Sequence, residues 1–197
     1  MNFIERLACI GCLAASALLW TPVLSAQPLQ VSLHPSIELN GSRLLRNGTG
    51  TRQVGSSSVY SAGLYLNQPA STMEQTLLVP GPKRLSLVML RDTSSDELGK
   101  LFSRGIDNNA PRSELSRLIP GLMRMSDIFS RHKRLSSGDT LFIDWVPGRG
   151  TVISVKGEMQ GEPVSDPAFF AALLGIWLGN APADPALKDA LLGRTRA

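Results

Sequence analysis

The chain has 197 residues, a formal net charge of +4 at neutral pH, two histidines and two cysteines. That length suits one domain with a genuine core. So few imidazoles and thiols argue against a transition-metal centre, and no motif asks for a cofactor.

Residues 1–26 read as a secretory leader. Arg6 is their only basic side chain, an apolar run extends from Leu7 to Trp20, and Pro22 breaks it ahead of the small-residue cleavage site Leu24-Ser25-Ala26. The run falls short of the roughly 20 residues that span a bilayer, although a retained anchor is the alternative reading. Cys9 and Cys12 both lie in the leader. The mature domain, residues 27–197, is therefore expected in the periplasm or medium without a disulfide, away from nucleic acid.

Next along the chain, Asn40-Gly41 between Ile37-Glu38-Leu39 and Arg43-Leu44-Leu45 is a strong hairpin signal. Val59 to Leu66 has strand composition, with Gly63 marking a bend or close approach. Ser71 and Glu74 form a capping box for a short helix ended by Pro80-Gly81-Pro82. Leu85 to Leu90 is an apolar strand. Ser94 with Glu97 caps a helix carrying Leu98, Leu101, Phe102 and Ile106 on one face. A longer helix runs from about Pro111 to Phe129, with Pro120-Gly121 expected to kink it.

Arg131-His132-Lys133-Arg134 follows as a basic cluster: either a solvated helix end or a contact with an anionic lipid surface through Arg131, Lys133 and Arg134. Thr140 to Val146 and Thr151 to Val155 pair around Pro147-Gly148-Arg149-Gly150, with Leu141, Ile143 and Trp145 on one face. Asp166-Pro167 and Asp184-Pro185 start two last helices. Hairpins without regular strand–helix–strand alternation give an α+β domain, one antiparallel sheet covered by a helical layer.

Familiar chemistry is missing. There is no helical histidine pair and no GxSxG elbow, and Asn47-Gly48-Thr49-Gly50 lacks the GK[ST] of a phosphate loop. Its glycines are expected to serve turn geometry. Asp96-Glu97 sits where acidic residues favour a helix dipole. What stands out is RNGTGTRQVGSSSVYSAGLYL, residues 46–66. If Gly55-Ser56-Ser57 form a three-residue turn, Arg52 lands across from Tyr60 on the same face. A guanidinium fork beside a phenol makes a receptor for one carboxylate or phenolate. The plainer alternative is an arginine reaching solvent beside an ordinary strand aromatic.

The NGTGTR element at 47–52 and VYSAGLYL at 59–66 resemble the chalcone isomerase-like family, and the order of strands and helices is similar from about residue 35 to 193. The resemblance implies an open-faced β-sandwich whose large antiparallel sheet and helices enclose an apolar cleft. In the family's enzymes an arginine stabilises the substrate anion, and Arg52 matches it. The catalytic threonine position falls on Tyr60, and the tyrosine and asparagine positions fall on Leu98 and Gly105. Losing one preorganised donor costs about 2.7–4 kcal/mol of barrier. The non-catalytic, fatty-acid-binding branch is the better match, with Arg52 and Tyr60 holding the head and Leu64, Met89, Leu98 and Phe102 as candidate walls. An intramolecular-lyase isomerase acting on a chalcone-like enone, and an envelope protein with no ligand, are the rival readings.

Overall fold

The computed structural model describes residues 33–194, so the leader and its cleavage site lie outside the described residues. Seven strands form one antiparallel sheet: β1 (Ser36–Leu39), β2 (Ser42–Val54), β3 (Ser57–Leu66), β4 (Lys83–Met89), β7 (Thr140–Val146), β8 (Gly150–Val155) and β9 (Glu158–Met159), in the spatial order β1-β2-β3-β4-β7-β8-β9. Two short strands, β5 (Thr93–Ser94) and β6 (Arg134–Leu135), pair separately. Helices α1 (Met73–Leu78), α2 (Ser95–Asn109), α3 (Leu115–Arg131), α4 (Pro167–Leu178) and α5 (Pro185–Leu191) complete an α+β architecture.

Period-two alternation sorts the sheet's faces. Leu64, Leu85, Leu87, Met89, Leu141 and Ile143 point toward the helices and are fully buried or nearly so. Tyr65, Arg84, Ser86, Phe142 and Asp144 belong to the opposite face, where Arg84 grips Asp144 with two bonds of 2.7 and 2.6 Å and lies over the Phe142 ring. Burial pushes the Asp144 carboxyl up by more than the Arg84 bonds pull it down.

The layer on the inner face is organised by α4, whose sequence PAFFAALLGIWL is apolar all round, as a helix enclosed by protein must be. Glycines let its neighbours approach. A Cβ at Gly121 would stand 2.2 Å from the Phe169 ring, and one at Gly105 would stand 2.7 Å from Ile176. The N-caps Asp166 and Asp184 form as the Asp-Pro signals predict. The cap of α1 is shifted by one: Thr72 accepts from Gln75, whose side chain returns to Ser71. A 3-10 turn at Arg112–Glu114 precedes α3, which runs two residues past Phe129.

The largest correction concerns Gly48 and Gly50. They make no turn; they lie within the 13-residue strand β2, neither with a positive φ. Their role is close approach. A Cβ on Gly48 would sit 2.1 Å from the Ala190 carbonyl oxygen, and one on Gly50 would sit 2.8 Å from the Ala190 Cβ, so α5 lies directly on bare backbone. Asn47 ties the same junction, donating to the Ala70 and Leu191 carbonyls and accepting from the Ala70 N–H.

Gly48→Ala should therefore force α5 away and destabilise the protein by about 1–3 kcal/mol. Gly99→Ala, in α2 with only Phe129 at 3.9 Å, should stabilise it by up to about 1 kcal/mol. Urea unfolding of the two variants checks both signs.

Candidate functional site

Arg52 and Tyr60 are partners in the β2–β3 ladder, but the geometry differs from a three-residue turn. The turn has two residues: Val54 pairs with Ser57 and Gln53 with Ser58. A register shift between Arg52 and Gln53 then adds one residue to the β3 side and restores the Arg52–Tyr60 pair. Both side chains point to the helix layer and line one cavity of about 410 Å³.

Tyr60 is 1% exposed, and its hydroxyl accepts from the Trp177 indole N–H at 2.9 Å. The hydroxyl hydrogen has no acceptor among the described residues, so it is free to serve a ligand. Burial pushes the phenol up to about 12, against the opposing pull of the Trp177 bond and the Arg52 charge. Tyr60 is thus a neutral donor at any physiological pH.

Arg52 is held from the loop between α4 and α5. Its Nη1 donates to the Ala183 carbonyl and lies 3.4 Å from Asp184 Oδ2. Its Nε and Nη2 have no protein acceptor among the described residues, which leaves one two-pronged edge of the guanidinium available. Burial raises the Asp184 carboxyl, but the backbone N–H groups of Leu187, Gln53 and Ala186 and the Arg52 charge outweigh it and hold the group below its ordinary value. Asp184 is both the N-cap of α5 and the counter-ion of Arg52.

The other walls come from α2 and the α4–α5 loop. Leu98, Leu101, Gly105 and Asn108 form one stripe of α2 toward the cavity, with Lys100 and Arg104 exposed at its rim. Ala181, Pro182 and Ala183 face them. Asn109 fixes that loop by donating to the Ala181 carbonyl and accepting from the Ala181 N–H.

Of the candidate walls, only Leu98 lines the cavity. Leu64, Met89 and Phe102 do not, because each is enclosed in the hydrophobic core. Leu64 and Met89 are 0% exposed, and the Phe102 ring packs edge-on against Trp177 and Phe129. They are core. Trp177, Asp184, Leu101 and Lys100 are the contributors that strand reasoning misses. The helical spacing of Lys100, Leu101, Arg104, Gly105 and Asn108 is the signal that finds the α2 wall.

A groove of about 540 Å³ between α1, α4 and α5 is larger, but Glu74 and Glu114 oppose Lys188 and Arg194 around it and, among the described residues, no buried polar group lines it. Among the described residues no cluster of His, Cys, Asp and Glu fits a metal ion, and no helix is long and apolar enough to cross a membrane.

A family model described as chalcone isomerase-like matches residues 26–193. The solved structure of the Arabidopsis thaliana fatty-acid binding protein AtFAP1 is similar, with a TM-score of 0.61 and 16% sequence identity, over 80% of this chain and 95% of that one. At that identity the likeness shows the fold. No curated protein matches the chain in sequence.

Tyr60→Phe strips Trp177 of its acceptor and should cost about 1–3 kcal/mol. An unfolded tyrosine ionises near 10 and folded Tyr60 near 12, so the unfolded chain loses its proton first. The stability is intact below pH 10 and should fall by about 2–3 kcal/mol as pH rises toward 12. Phenolate absorbance during alkaline titration checks this, with Tyr60→Phe removing the later of the two ionisations if Tyr65, also raised, precedes it.

Proposed function

The chain belongs to the chalcone isomerase-like family, and on that footing we propose that it is an exported, non-catalytic binder of an amphiphile with an anionic head, a fatty acid or its chemical equal. The observation that carries this reading is that Arg52 and Tyr60 line one cavity while, among the described residues, the Arg52 Nε/Nη2 edge and the Tyr60 hydroxyl hydrogen have no protein acceptor. Together they offer a carboxylate two charge-assisted bonds and one neutral bond. Val59, Leu98 and Leu101 supply apolar wall for the adjoining methylenes, each worth about 0.8 kcal/mol when buried.

Binding is favoured over ring closure by what α2 presents. Leu98 and Gly105 carry no donor, and a side chain at Gly105 would collide with Ile176. Neither position then supplies a donor to polarise a ketone.

Asp184 sets the strength of the head site. Its charge beside Arg52 opposes an incoming carboxylate and leaves a neutral head untouched.

Native mass spectrometry of the purified protein should find a co-purifying fatty acid, lost in Arg52→Ala. Calorimetry with dodecanoate and dodecanol refines the test. Asp184→Asn keeps a good N-cap and should tighten dodecanoate on the order of tenfold without moving dodecanol. If Arg52→Ala binds dodecanoate like the unaltered protein, the head site is elsewhere. Amino-terminal sequencing of envelope material should begin at Gln27.

A further inference from the structure

The net charge of this chain is not spread over it. Residues 112–134 contain six basic side chains (Arg112, Arg117, Arg124, Arg131, Lys133, Arg134) against two acidic ones (Glu114, Asp127), which equals the +4 of the whole sequence. Everywhere else, 14 basic side chains meet 14 acidic ones. The charge asymmetry of the protein is therefore α3 and its two ends.

The same helix exposes apolar surface. Ile119 is 52% exposed and Met123 is 65% exposed, one turn apart. Beside them Leu122 and Phe129 turn into a groove of about 720 Å³ shared with Phe102 and Ile106 of α2. Arg117, Arg124 and Arg131 recur every seven residues and form a stripe along the flank of that crest. Among the described residues, Arg112, Arg131 and Lys133 have no carboxylate partner, and the Arg134–Asp92 pair is 3.4 Å apart and open to water. A solvated helix needs no such crest. One that rests in a headgroup layer does: large side chains enter the acyl boundary while arginines meet phosphates.

We propose that α3 is a docking face for an anionic bilayer, with Ile119 and Met123 inserted and Arg124, Arg131, Lys133 and Arg134 against lipid phosphates. The occupant is a lipid surface because two large apolar side chains stand out beside basic groups on the same helix, a pairing that a headgroup layer over acyl chains complements. Lys100 and Arg104 border both the α2–α3 groove and the Arg52 cavity. The docked face thus adjoins the binding cavity across a single helix. This inference stands on α3 alone and survives if the cavity's ligand is different.

The test uses the full chain and a readout local to α3, so that contact by the N-terminal apolar run does not register. A tryptophan is placed by Met123→Trp, and for comparison by Leu78→Trp in exposed α1. Vesicles of brominated phosphatidylcholine are added with or without phosphatidylglycerol. Bromolipid should at least halve the added emission at position 123, only with phosphatidylglycerol present, and leave position 78 unchanged. Arg131→Gln with Lys133→Gln and Arg134→Gln in the Met123→Trp background should weaken that response on the order of a hundredfold, the sum for three surface cations. No quenching at 123, equal quenching at 78, or quenching without phosphatidylglycerol overturns the proposal. A response at 123 to soluble polyglutamate but not to vesicles would reassign the face to an acidic protein.

Discussion

The structure depends on two missing side chains. Where β2 passes beneath α5, Gly48 and Gly50 expose backbone, and the helix settles where Cβ atoms would stand. That contact fixes the height of α5, and the residue just before the helix, Asp184, is its N-cap. Asp184 thereby reaches Arg52 on the same strand. A strand with ordinary side chains at 48 and 50 would lift the helix and part the ion pair. Packing and electrostatics here are one constraint.

From that junction the cavity follows. The sheet contributes a charge-bearing residue and a phenol on adjacent strands, and α4 contributes the indole that occupies the phenol's oxygen. Occupying the oxygen leaves the hydroxyl hydrogen as the group on offer. Asp184 likewise consumes one side of the guanidinium and leaves the other. Each polar group is half satisfied by the protein, which fixes its orientation while keeping capacity for a visitor. Full satisfaction would make an inert core, and no satisfaction would let both groups swing.

Much of the fold is readable from local pattern. Leu141, Ile143 and Trp145 alternate as a half-buried strand must, and Asp166-Pro167 and Asp184-Pro185 start helices because capping is local chemistry. The site is legible only in part. The Arg52–Tyr60 pairing emerges from a three-residue turn on paper and from a two-residue turn plus a register shift in the protein, so two differences cancel. Leu64 and Met89 share the face of Tyr60, yet a common face does not say whether a residue meets a cavity, and both are enclosed in the core. The Trp177–Tyr60 bond spans 117 positions and the Arg52–Ala183 bond 131. No local periodicity encodes such contacts. Gly48 and Gly50 mislead for the same reason: the helix that needs them comes some 140 residues later.

The Asn109 amide closes a two-way bond with Ala181, Ala183 donates to the Ile176 carbonyl, and Arg52 holds the Ala183 carbonyl. The stretch from Ala181 to Ala183 is thereby stitched to two helices and a strand. A guest cannot widen the chamber on that side without tearing several stitches together. Accommodation falls to the opposite wall, where the long side chains of Lys100 and Arg104 can swing without cost to the fold. The chamber has a fixed jaw and a compliant one, so any guest meets a rigid wall beside Arg52 and a yielding one opposite.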